Sequence, residues 1–100
     1  MMDNLKQRAE YVARILKMLA HAERLQIACA LAEQEYSVAQ LETKLGIHQP
    51  ALSRHLTILK KEETLSSRRE GKNVFYTLTD EKTGKLVKNL YNIYCKGHDL

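Results

Sequence analysis

A mainly α-helical domain carrying one small β-hairpin is what this sequence predicts, on three observations. Apolar residues recur at helical spacing through five separate stretches. One run, VFYTL at 74–78, is instead rich in β-branched and aromatic residues and lies just past a turn-forming EGKN. Glycine and proline, four and one in 100 residues, are too scarce for long linkers. The predicted order is helix, helix, short helix, helix, hairpin, helix, in one domain spanning residues 1–100.

From Asp3 to about Leu19, apolar residues fall at Leu5, Ala9, Val12, Leu16 and Leu19, a stripe with a coiled-coil-like seam. After His21-Ala22-Glu23 a second helix carries Leu25, Ala28, Cys29, Leu31 and Ala32 on a broad apolar face. EQEYS breaks that pattern and suggests a very short strand around Tyr36. A short helix from about Val38 to Leu45 turns Leu41 and Leu45 inward, and Gly46 closes it. GIHQP is a tight connection with Pro50 in the first turn of the next helix. That helix points Leu52, Leu56 and Leu59 inward and leaves Ser53, Arg54, Thr57, Lys60 and Lys61 outward.

The hairpin arms are Leu65 to Arg69 and Val74 to Leu78, joined by a turn using Gly71 and Asn73. Thr79 or Asp80 caps a last helix with adjoining apolar rows Leu86, Leu90, Ile93 and Val87, Tyr91, Tyr94. Both terminal helices carry more apolar surface than a lone small domain needs, which points to a homodimer.

Composition narrows the function. No apolar run approaches a membrane span, and MMDNLKQRAEYV lacks the apolar core of a secretion signal. A cytoplasmic protein with reduced thiols is expected. No nucleophile–base motif, phosphate loop or paired carboxylates stands out, so an enzyme is not expected, nor a cofactor. The net charge is a modest +4, but Arg54, Lys60, Lys61, Arg68, Arg69 and Lys72 fall close together.

A short helix, a turn and a second helix with three inward leucines is the helix-turn-helix pattern. Its second helix exposes His48, Gln49, Ser53, Arg54 and Thr57 near its N-terminal half. Gln pairs bidentately with adenine and Arg with guanine, while Ser and Thr suit bases or phosphates. The following hairpin puts Arg68, Arg69, Lys72 and Asn73 at or near its tip, as a wing for backbone or minor-groove contact. Together these predict a winged helix-turn-helix whose partner is double-stranded DNA. The plainer alternative is two hairpins, one α and one β, that pack and bind nothing.

LAHAERLQIACAL, YSVAQLETKLGIHQPALSRHLTILKK and RREGKNVFYTL together resemble the ArsR family of small winged-helix repressors. The resemblance spans about Leu16 to Cys95. It implies a homodimer built from the first and last helices, each protomer offering one recognition helix to a pseudo-palindromic operator. Members usually carry a glycine after the recognition helix; KKEETLSS has none, and a longer or looser turn over Glu62 to Leu65 is expected.

Metals switch many members. The family's Cys-x-Cys site before the recognition helix corresponds here to EQEYSVAQL, which has no cysteine. A second family site uses Asp and His on the last helix; Asp80 is present, but no His follows until His98. Cys95, His98 and Asp99 have permissible zinc spacing, yet no metal site is assigned. His21 is read as capping or packing at the second helix, and His55 as facing core, partner or phosphate.

Cys29 and Cys95 are the only cysteines. Each alone reads as packing. The closest resemblance, however, is to the sulfide-responsive BigR-type and SqrR-type branch and the related HlyU group. There one cysteine lies in the second helix and one near the end of the last. The resemblance implies a repressor released when persulfides bridge Cys29 and Cys95, with Cys95 the attacker and Cys29 the resolving thiol. The alternatives are a metal-responsive or general redox-responsive regulator, or a winged-helix interaction module that does not bind DNA.

Overall fold

The structure, a computed structural model, describes residues 2–95. Five helices and three strands follow in the order α1 (Met2–Leu19), α2 (Ala22–Glu33), β1 (Tyr36–Ser37), α3 (Val38–Leu45), α4 (Ala51–Lys61), β2 (Leu65–Glu70), β3 (Asn73–Leu78) and α5 (Glu81–Tyr94). The fold is the winged helix expected from the sequence. Its antiparallel sheet has the order β1-β3-β2, so the short strand at Tyr36 anchors the hairpin to the body.

α2 is the hub. Ile27, Ala28, Ala30 and Leu31 are all buried on it, and it packs against α1, α3, α4, α5 and β3. One apolar core gathers Ile27, Leu31, Leu41, Ile47, Leu52, Leu56, Leu59 and Leu65 beneath the helix-turn-helix. A second, smaller one joins Leu19, Ala28 and Val87, with Leu25, Cys29 and Leu86 packed against it.

Local chemistry sets the helix ends. The His21 Nδ1 accepts the Glu23 N–H at 3.1 Å and caps α2. Ser37 and Gln40 form a reciprocal capping box on α3, at 3.1 and 2.8 Å. Gly46, at φ +69°, closes α3 by donating to the Glu42 carbonyl. Pro50 differs from expectation by one step. It is the N-cap of α4 and not part of its first turn, and its carbonyl receives the Arg54 N–H at 3.1 Å.

The turn after α4 is not loose. Thr64 donates to the Leu59 carbonyl at 2.9 Å and Glu63 to Lys60 at 3.0 Å, the double closure of a Schellman motif. Glu63 takes φ +62°, the left-handed conformation that glycine adopts without cost. Burial of Thr64 and Leu65 directly behind it pins the chain at that point, so two hydrogen bonds and packing outweigh the strain. The hairpin turn is also tighter than expected. Glu70 pairs with Asn73, leaving only Gly71 and Lys72 as the connection, with Gly71 at φ +63°.

α1 is the outlier in burial. Of its stripe only Leu19 is buried; Leu5, Val12 and Leu16 are exposed, as is Tyr11. The end of α5 matches it, with Tyr91, Ile93 and Tyr94 more than half exposed. No helix among the described residues is long and apolar enough to cross a membrane.

Candidate nucleic-acid interface and thiol pair

α4 is amphipathic in the sense a reading helix needs. Leu52, Leu56 and Leu59 are at most 1% exposed, fixing one face against the core. Ser53, Arg54, Thr57, Lys60 and Lys61 are exposed on the other. Ser53 and Thr57 are four residues apart and Arg54 and Thr57 three, so the three form one exposed row.

The N-terminus of α4 is organised before any ligand arrives. The Gln49 side-chain carbonyl accepts both the Ser53 N–H, at 3.1 Å, and the Ser53 hydroxyl, at 2.5 Å. A bidentate Gln–adenine pair would have to take that oxygen away from Ser53. His48 is exposed, with its Nδ1 3.6 Å from Glu42. His55 is the one buried polar side chain on α4. Its Nε2 lies 3.0 Å from Glu23 of α2, its ring meets His21 edge-on at 4.5 Å between centroids, and its Nδ1 has no partner among the described residues. Of the three readings open to it, core is the one realised.

The wing divides its basic residues. Arg69, Lys72 and Asn73 are exposed and make no side-chain hydrogen bond or ion pair among the described residues. Arg68 is exposed too, with half its side chain open to solvent, but it is already paired. Its guanidinium lies over the Phe75 ring, 4.6 Å from the centroid, and donates to both Glu35 oxygens, at 2.8 and 2.7 Å, and to Glu70 at 2.6 Å. The hydrogen bonds from Arg68 hold the Glu35 carboxyl below the usual carboxylate range.

The two thiols sit on helices that pack together, α2 and α5. Both are free; Cys29 is half-buried, and Cys95 is exposed as the C-cap residue of α5. Burial pushes the Cys29 thiol up, and negative charge at Cys95, then at Glu33, pushes it further. Cys29 is therefore the thiol held protonated, and Cys95 the one open to solvent.

No group of three or more His, Cys, Asp and Glu side chains suited to a metal occurs among the described residues. Asp80 is the N-cap of α5, accepting the Lys82 N–H at 2.9 Å and the Tyr11 hydroxyl at 2.8 Å. His98 and Asp99 lie outside the described residues. Sequence reasoning missed the Glu23–His55, Glu35–Arg68 and Tyr11–Asp80 contacts, which join residues 32, 33 and 69 positions apart. Only the Ser37-x-x-Gln40 box carried a local signal.

Residues 21–67 match the family described as bacterial regulatory protein, arsR family. The chain is 46% identical to the biofilm growth-associated repressor of Agrobacterium fabrum, over 91% of its own length and 78% of the relative's. The chain belongs to the ArsR family. Its fold follows that of the transcriptional repressor BigR from Xylella fastidiosa with a TM-score of 0.87 and 42% identity, covering 95% of this chain and 97% of that one. A Mycobacterium bovis fragment, described as the homodimeric winged helix-turn-helix DNA-binding domain of a possible ArsR-family regulator, aligns at a TM-score of 0.74 and 28% identity, over 98% and 95% of the two chains. Membership places this ArsR-family chain among regulators and not among enzymes.

Proposed function

We propose that this chain is a homodimeric transcriptional repressor that binds a pseudo-palindromic operator and releases it when Cys29 and Cys95 are bridged by reactive sulfur. The observation that carries the DNA-binding half is the exposed row Ser53, Arg54 and Thr57 on a helix whose opposite face holds three fully buried leucines. A rigid helix with donors on its free face is what base reading requires. The similarity to BigR and to a homodimeric DNA-binding domain supports the same reading.

Dimerisation follows from surface that one copy cannot cover. Seven large apolar side chains on α1 and α5 are exposed. Each is about half covered already, so full burial gains about half of the roughly 1.5–3 kcal/mol for such a side chain; with both copies contributing, the sum is comparable to the roughly 4–15 kcal/mol that association costs. Two copies then present two α4 helices to successive major grooves.

The switch needs one accessible thiol and one resolving thiol on a neighbouring element. The Cys95 thiolate attacks the outer sulfur of a persulfide R–S–SH, releasing R–SH and becoming Cys95–S–SH. Cys29, once deprotonated, attacks the Cys95 sulfur and expels hydrosulfide, closing the disulfide; the persulfide is the oxidant. A second transfer before closure leaves one extra sulfur in the bridge. The bridge joins α5, part of the dimer seam, to the hub helix α2, biasing the spacing of the two α4 helices.

Intact-mass measurement after persulfide treatment, set beside operator binding, tests this. Wild-type protein should gain a Cys29–Cys95 bridge and release DNA, while Cys95→Ser should bind DNA when reduced and fail to release. Release by Cys95→Ser under the same treatment would remove the dithiol switch. An identical simple disulfide under persulfide and peroxide would make the chain a general oxidant sensor. Absence of salt-dependent binding to any duplex would leave the interaction-module reading.

A further inference from the structure

Arg68 lies in the basic stretch of the wing, where a phosphate contact is the default expectation, yet its surroundings are those of a strut. It sits on β2 opposite Phe75 of the central strand β3, and Phe75 in turn pairs with Ser37 of β1. Glu35 immediately precedes β1. The guanidinium therefore crosses the central strand over the Phe75 ring and takes both oxygens of a carboxylate on the far side, while Glu70 holds its remaining nitrogen. Two carboxylates and an aromatic face already surround the cation. A phosphate would have to displace a bidentate pair and would meet two negative charges beside it.

The sheet explains why a strut is needed here. β1 is two residues long and gives the hairpin only a narrow anchorage, so backbone pairing alone leaves the wing angle weakly defined. Glu35 also lies next to Gln34, the C-cap of α2, so the strut fixes the wing to the hub helix.

We propose that Arg68 and Glu35 are a positioning pair that sets the wing against the body, and that Arg69, Lys72 and Asn73 make the wing's DNA contacts. This rests on the DNA-binding reading above. Both partners are then required equally, although one is basic and the other acidic.

The test compares wild type, Glu35→Ala, Arg68→Met (which keeps an apolar stem over Phe75) and the double variant. Operator affinity is measured across a salt series and amide exchange across the hairpin. Each single variant should weaken operator binding by about fivefold, and the double by no more than either, as for residues in one network. The slope of log affinity against log salt should stay that of wild type, and hairpin amides should exchange faster in all three variants. The proposal is overturned if Arg68→Met lowers the salt slope by about one while Glu35→Ala binds as well as or better than wild type, because Arg68 is then a phosphate ligand. Should wild type bind no duplex, the DNA-binding reading fails on its own, and unchanged hairpin exchange in the variants would still remove the strut.

Discussion

His55 on α4 and Glu23 at the start of α2 meet at 3.0 Å, and this contact ties the helix that presents Arg54 to the helix that carries Cys29. Among the described residues the His55 Nδ1 is buried without a partner, so Nε2 is the ring's one hydrogen-bonded nitrogen there. Glu23→Ala should destabilise the fold by about 1 kcal/mol, toward the low end for a stranded buried polar group because water can reach the half-exposed Glu23 position. Glu23→Gln, which keeps an acceptor, should lose less than half of that. Urea denaturation of the two variants beside wild type checks the order.

Glu63 carries the one positive φ outside glycine among the described residues. A left-handed conformation costs a non-glycine residue roughly 1–2 kcal/mol, and glycine's greater freedom in the unfolded chain returns part of that. Glu63→Gly should therefore raise stability by about 0.5–1 kcal/mol without changing DNA affinity. Thermal melting checks the first part and a binding isotherm the second. A loss of stability would mean that the Glu63 side chain contributes more than its backbone strain removes.

Tyr11 and Asp80 bind α1 to the N-cap of α5, and each shifts the other. The Asp80 carboxyl is lowered, first by its bond from the Lys82 N–H and then by Tyr11; the Tyr11 hydroxyl is raised, first by its bond to Asp80. A lowered acid contributes stability above its unfolded value of about 3.9, lost as pH falls through the folded value. A raised phenol contributes below about 10, lost as pH rises through its folded value. The melting-temperature gap between wild type and Tyr11→Phe should be flat from about pH 5 to 9 and shrink on both sides. A gap that is unchanged at pH 3 and at pH 11 would show that the Tyr11–Asp80 bond does not couple to the ionisation of either partner.

Leu16 is nearly half exposed in the last turn of α1. Leu16→Lys should leave the isolated fold intact, since Leu16 belongs to neither buried apolar cluster and a lysine stem can cover the same surface with its charge in water. In the dimer it would bury an ammonium in the seam. Sedimentation should show the dimer dissociation constant raised at least about tenfold, equivalent to roughly 1.4 kcal/mol, with unchanged circular dichroism. A dimer as tight as wild type would place the seam elsewhere.

Much of this molecule is legible in its sequence, because period and punctuation are local. Leu52, Leu56 and Leu59 announce the buried face of α4, Gly46 the end of α3, and EGKN the hairpin turn. The exposed row of α4 follows from the same three leucines by elimination. Three turn readings missed their detail: the hairpin connection is only Gly71 and Lys72, and the other two closures are local backbone hydrogen bonds. The turn at Glu62–Leu65 is tight although it lacks glycine, because the Thr64 and Glu63 hydrogen bonds close it. Pro50 caps α4 from outside. Charge pairing was not legible at all. Nothing near Arg68 distinguishes it from Arg69 in sequence; only the fold brings Glu35 across β3 to one and leaves the other in water. The stripe on α1 was legible as a seam, but the chain by itself holds nothing for it to lie on.

A bridge between Cys29 and Cys95 should lower affinity for the operator. The most direct measurement is the operator dissociation constant of one preparation in two forms, reduced and bridged, each verified by intact mass immediately before titration. The bridged dimer should bind at least about tenfold more weakly, and reduction should restore the original affinity. A fully bridged dimer that binds its operator as tightly as the reduced one would contradict the account.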